Sequence, residues 1–81
     1  MKSMGEFQTL AGMVVGKEGT IKKIEGGYGL QRRLACLGLR VGKTIRKVAS
    51  EPLRGPIVVE VDGGHIAIGR GVAEKVWVEV K

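Results

Sequence analysis

The chain has 81 residues, 14 of them glycine, one cysteine and a formal net charge of +6, which fits a single domain over 1–81 with a modest core. One cysteine excludes an internal disulfide, and with it the disulfide-stapled secreted modules. No apolar run approaches the roughly 18 residues that span a bilayer, and no secretory leader pattern is present, so a cytoplasmic protein without direct membrane insertion is expected.

Residues 1–6 read as a flexible leader. Phe7 to Val15 mixes apolar residues with Gln8, Thr9 and Gly12. Thr9 is placed to cap a single turn through Leu10 and Met13, which would lie as a lid over one end of a core. Lys17 to Glu25 is the first strand. Its inward candidates, Ile21 and Ile24, are three residues apart, so strict alternation breaks and a bulge is required. Gly26-Gly27 ends it.

The segment from Leu30 to Gly38 is the one stretch with helical periodicity. At about 100° per residue, Leu30, Leu34 and Leu37 share a face and Arg33 lies at its edge, while Gln31, Arg32, Ala35 and Cys36 face away. Gly38 is placed to close the helix in the left-handed conformation. A second strand is read over Lys43 to Ser50, with Ile45 and Val48 again out of phase by one residue. Glu51 to Pro56 is a turn cluster with Arg54 at its tip. Ile57 to Asp62 alternates cleanly, with Ile57, Val59 and Val61 inward. Gly63-Gly64 signals a hairpin, and His65 to Ile68 returns with Ile66 and Ile68 inward. A short turn through Ala73 leads into Lys75 to Val80, with Val76, Val78 and Val80 on one face. The fold class is therefore mainly β: a small, partly open barrel of about five curled strands with one short inserted α-helix.

The basic balance favours an anionic partner. Phe7, Tyr28 and Trp77 are the only aromatics, and no two share a strand as a stacking platform, so no nucleic acid is expected. Catalysis has no constellation to rest on: one histidine, no paired carboxylates, and no Gly-Lys-Ser/Thr ending after Gly26-Gly27-Tyr28-Gly29. The Arg32-Arg33 pair offers planar forks that suit carboxylates. Arg32 points outward as a contact for an acidic partner surface, with Leu30 or Leu53 as the apolar anchor and Arg54 as a further basic contact. Arg33 is expected to span the helix edge and bond within the fold.

The order of features resembles the FeoA family of ferrous-iron uptake. The residues that carry it are Gly16 with Gly19-Thr20-Ile21, Gly26-Gly27, the Arg-Leu-x-x-Leu-Gly-Leu-x-x-Gly core from Arg33 to Gly42, Ile45, Pro56 to Val61, and Ile66 to Arg70 followed by Ala73. The resemblance covers about Leu10 to Val80. It implies an SH3-like barrel, no enzymatic activity, and the cytoplasmic domain of the membrane ferrous-iron transporter FeoB as partner, for regulation or assembly. It also implies likeness to the C-terminal module of iron-dependent repressors, and so an alternative role as a stand-alone metal-binding or metal-sensing module. That invites a weak divalent metal site, Fe2+ or Zn2+, for which His65, Asp62 and Cys36 are the candidate ligands. Transition-metal sites gather several such groups; Asp62 and His65 flank one turn and could share a rim, and two ligands make a weak site unless a second copy completes it. The family often carries an acidic residue where this chain has Cys36. Edge strands of a curled sheet permit a homodimer.

Overall fold

Period-two alternation of Val and Ile sets the inward face of most strands in the computed structural model, which describes residues 6–50 and 55–80. The strands are β1 (Glu6–Thr9), β2 (Glu18–Ile24), β3 (Thr44–Ser50), β4 (Ile57–Val61), β5 (Gly64–Ile68) and β6 (Val76–Val80). Helix α1 (Tyr28–Cys36) is inserted between β2 and β3, and the one-turn α2 (Arg70–Ala73) joins β5 to β6. The sheet order is β1-β6-β2-β3-β4-β5, with every neighbouring pair antiparallel.

Two expectations are corrected here. Six strands are described, not five, because Glu6 to Thr9 forms β1 on the edge of β6, taking in the last residue of the expected leader and the start of the expected lid, while residues 1–5 lie outside the described residues. The sheet also runs open from β1 to β5 and does not close into a barrel. The lid survives in part: Thr9 accepts from the Gly12 and Met13 amides at 3.0 and 3.1 Å, and the turn it caps buries Leu10 and Met13.

Both expected phase slips are bulges. The β2–β6 register shifts between Ile21 and Lys23, so Lys22 is the extra residue and Ile21 and Ile24 both face the core. The β3–β4 register shifts between Lys47 and Ala49, which makes Val48 the extra residue. Here the inward position after Ile45 is Lys47, while Val48 is half-buried. The β4–β5 hairpin turns on Asp62 and Gly63, with φ of 52° and 81°, and Gly64 already pairs with Val61. The core gathers Leu10, Ile21, Leu39, Ile45, Ile57, Val59, Val76 and Val78, each essentially without solvent contact.

Close approach fixes one backbone position. A Cβ on Gly19 would stand 2.5 Å from Val78 Cγ1 and 2.6 Å from the Glu79 carbonyl oxygen, so β2 reaches β6 only because this residue has no side chain.

Candidate functional site

Helix α1 builds one wall of an apolar groove. Its first turn is tied to the end of β2 by Gln31, whose Nε2 donates to the carbonyls of Ile24 and Gly26 at 3.4 Å each. Its last turn closes with glycine in the left-handed region: Gly38 has φ of 93°, its amide donates to Ala35, and the Leu39 amide donates to Leu34, both at 2.9 Å. That paired motif turns the chain so that Leu39 is fully buried beside buried Leu34. It also leaves Leu37 at the helix cap, half exposed, where the periodicity places it inward. The wheel treats Leu37 as one more helical position, but the backbone has already begun to leave the helix there.

The opposite wall is the end of β5 and the start of α2. Leu30, Leu34 and Leu37 face Ile68, Gly69 and Val72 across a groove of about 420 Å³, with Arg33 and Cys36 along it. Arg33 is exposed and makes no hydrogen bond or ion pair among the described residues, against the expectation that it bonds within the fold. Arg32 is also exposed, and its guanidinium carbon lies 5.7 Å from the centre of the exposed Tyr28 ring. The structure thus brings Leu30, Arg33 and Cys36 to one groove and holds Arg32 on the adjacent face of α1. Leu53 and Arg54 lie outside the described residues.

A row of charges crosses four strands elsewhere. Glu18 pairs with Arg46, Arg46 with Glu60 and Glu60 with His65 in direct register. Arg46 donates to Glu60 Oε1 from Nη2 at 2.6 Å and from Nε at 3.1 Å. The Arg46 hydrogen bonds and charge, with a smaller contribution from His65, hold the Glu60 carboxyl below its usual value against a small opposing effect of desolvation. Asp62 is paired with Lys43 at 2.9 Å. Glu60 and Asp62 are therefore both engaged by cations. Asp62 and His65 flank one tight turn, while Cys36 lines the groove. The described residues hold no group of three or more His, Cys, Asp or Glu side chains placed to bind a metal ion.

The FeoA domain model matches residues 8–80. The chain belongs to the FeoA family. A curated relative, an Fe(2+) transport protein A of Methanocaldococcus jannaschii, is 38% identical over 64 residues, which span 79% of this chain and 76% of the relative. A crystal structure of an iron uptake regulatory protein, FeoA, superposes with a TM-score of 0.88 at 36% identity, covering 94% of this chain and all of that one. A manganese-dependent transcriptional repressor matches at TM-score 0.85 and 22% identity over 98% of this chain and 44% of its own, a likeness of fold alone. The architecture is accordingly SH3-like, mainly β, with the helix inserted between the second and third strands of an open sheet.

The second wall of the groove was not legible in the sequence. Ile68, Gly69 and Val72 sit in a strand end and a one-turn helix, and nothing in their spacing points across some thirty residues to α1. Lys47 does carry a signal in the sequence. It follows Ile45 at the two-residue spacing of a strand, so strict alternation puts it inward.

Proposed function

We propose that this FeoA-family chain is a non-enzymatic accessory module of ferrous-iron uptake that binds the cytoplasmic domain of the membrane transporter FeoB and regulates or assembles it. The observation that carries the reading is an apolar groove edged by an arginine that has no acidic partner among the described residues. Leu30 and Leu37 supply apolar surface, and Arg33 and Arg32 supply cationic forks beside it, an arrangement suited to an interface with an apolar centre and a charged rim. Leu53 and Arg54 are proposed to extend the same contact. The family membership supports the transport setting, and the chain's formal charge of +6 supports an acidic partner face. No helix of the described residues is long and apolar enough to cross a membrane, so the module is expected to meet the transporter at the water-exposed side.

Binding of the full chain to the transporter's purified cytoplasmic domain, followed by calorimetry, tests this reading. Saturable binding that weakens at least about tenfold in the Arg32→Ala/Arg54→Ala double variant supports it. Binding that survives the double change intact removes those residues from the interface, and absence of binding removes the proposal.

A second proposal concerns metal. His65 and Asp62, at the two ends of one hairpin turn, are offered as a two-ligand contact for Fe2+ or Zn2+, with Cys36 as a third ligand only if the groove rearranges. Zn2+ that binds His65→Ala as tightly as the unaltered chain would dismiss it.

A further inference from the structure

β5 is the last strand of the sheet, and no strand of the described residues pairs with its outer edge. Among the described residues, no turn, cap or side-chain hydrogen bond reaches the backbone of Gly64–Ile68, whose only strand partner is β4. Exposed edges of this kind are usually blunted by lysine, proline or a bulge. β5 carries none of these: its sequence is Gly-His-Ile-Ala-Ile, and it pairs with β4 without a register shift. The other edge, β1, is four residues long and carries Glu6.

The free edge leads into the groove. Ile68 ends β5 and, with Gly69, lines the wall opposite Leu30 and Leu37. A chain laid along β5 would therefore find unpaired backbone donors and acceptors first and an apolar slot at the end of the strand. Beside that slot stands Arg33, without an ion pair among the described residues.

We infer that β5 is a docking edge for an extended segment of a partner protein, apolar at alternate positions and carrying a carboxylate. The segment adds to the sheet as a further strand. Main-chain hydrogen bonds supply affinity that does not depend on sequence, and one apolar side chain seated in the groove supplies selectivity. The carboxylate is taken by the Arg33 fork. Charge decides between occupants. A second copy would bring two chains of +6 edge to edge, whereas an acidic segment neutralises the rim. This inference rests on reading the chain as an interaction module and specifies how the partner is held.

The test titrates the full chain with a blocked nine-residue peptide alternating valine and glutamate, read by amide shifts and hydrogen exchange. Saturable binding with slowed exchange at alternate amides of β5 is expected. A peptide N-methylated at alternate residues is expected to bind at least about tenfold more weakly, and so is the parent peptide with Leu37→Glu or Arg33→Glu. Leu37 is half exposed and Arg33 exposed, so both variants are expected to fold. Equal binding of the N-methylated peptide, or of one with lysine for glutamate, overturns the inference. So does absence of saturable binding at millimolar peptide. Protection of β5 that grows with protein concentration alone assigns the edge to a second copy and likewise overturns it. With the transporter's cytoplasmic domain as ligand, binding that leaves β5 exchange unchanged removes this inference and leaves the proposed function standing. Peptide protection of β5 without binding to that domain does the reverse.

Discussion

Lys47 shows how one side chain can hold a loop against a sheet. It is 2% exposed, and its ammonium donates to the carbonyls of Met13 at 2.7 Å and Ala11 at 3.1 Å. Those carbonyls belong to the loop after β1, so the contact ties that loop to β3. Burial, and then the charge of Arg70, push its pKa down from the ordinary lysine value. Lys47→Met keeps the apolar stem but leaves both carbonyls without this donor. It is expected to cost about 1–3 kcal/mol, read as a fall of roughly 4–8 °C in Tm per kcal/mol. The pH dependence follows from linkage. The unfolded chain binds more protons at this site than the folded one between the lowered pKa and the ordinary value, so the stability of the unaltered chain rises with pH across that window. The gap between it and Lys47→Met should widen there, as measured by denaturant unfolding. Glu60 acts in the same direction, at the acid end of the pH range. Its folded pKa is depressed, so its contribution is present above the ordinary carboxylate value and lost as pH falls through the depressed one. Glu60→Gln is expected to flatten the acid limb of the stability profile and leave the alkaline limb unchanged.

Elements are joined by backbone geometry that side chains cannot replace. Gly19→Ala forces a methyl group into the β2–β6 contact, against the Glu79 carbonyl. About 1–3 kcal/mol of destabilisation is expected, with slowed-exchange amides lost first where β2 pairs with β6. Gly38→Ala places a side chain at φ of 93° in the motif that ends α1. It is expected to cost about 1–2 kcal/mol. Because Gly38 also sets the direction in which Leu37 and Leu39 diverge, that variant should weaken partner binding beyond its effect on stability, whereas Gly19→Ala should not. Comparing the two variants by calorimetry at a temperature where both are folded separates the effects.

At the scale of the whole molecule, the excess of positive charge and the uncovered groove act together. Raising ionic strength from about 0.05 to about 0.5 M shrinks the screening length severalfold, and an acidic partner should then bind more weakly, chiefly through slower association. The apolar part of the contact is expected to persist at high salt, so a residual affinity that Leu37→Glu abolishes would separate the two contributions.

Local chemistry was readable in advance. Alternation placed Ile57, Val59 and Val61 and then Val76, Val78 and Val80 inward, because a pleated strand alternates its faces whatever surrounds it. The broken phase at Ile21 and Ile24 called for a bulge, and Gly38 called for a left-handed cap, since both are properties of a few consecutive residues. The Arg33 to Gly42 pattern pointed to the family. Other features were set at longer range. β1 is a strand because β6 offers its edge, and Glu6 to Thr9 alone carries little β signal. Leu37 is exposed because the cap turns the chain away one residue before the helical wheel would stop counting. Lys47 is tolerated inside only because two loop carbonyls from residues over thirty positions away meet its ammonium. The groove and the open edge beside it exist because α1, β5 and α2 converge in space. By itself, then, the sequence determined the inward faces, the bulges, the cap and the family. Only the tertiary structure decided which edge stays open and that Arg33 stands at the groove without an ion pair among the described residues, because these depend on contacts between segments distant along the chain.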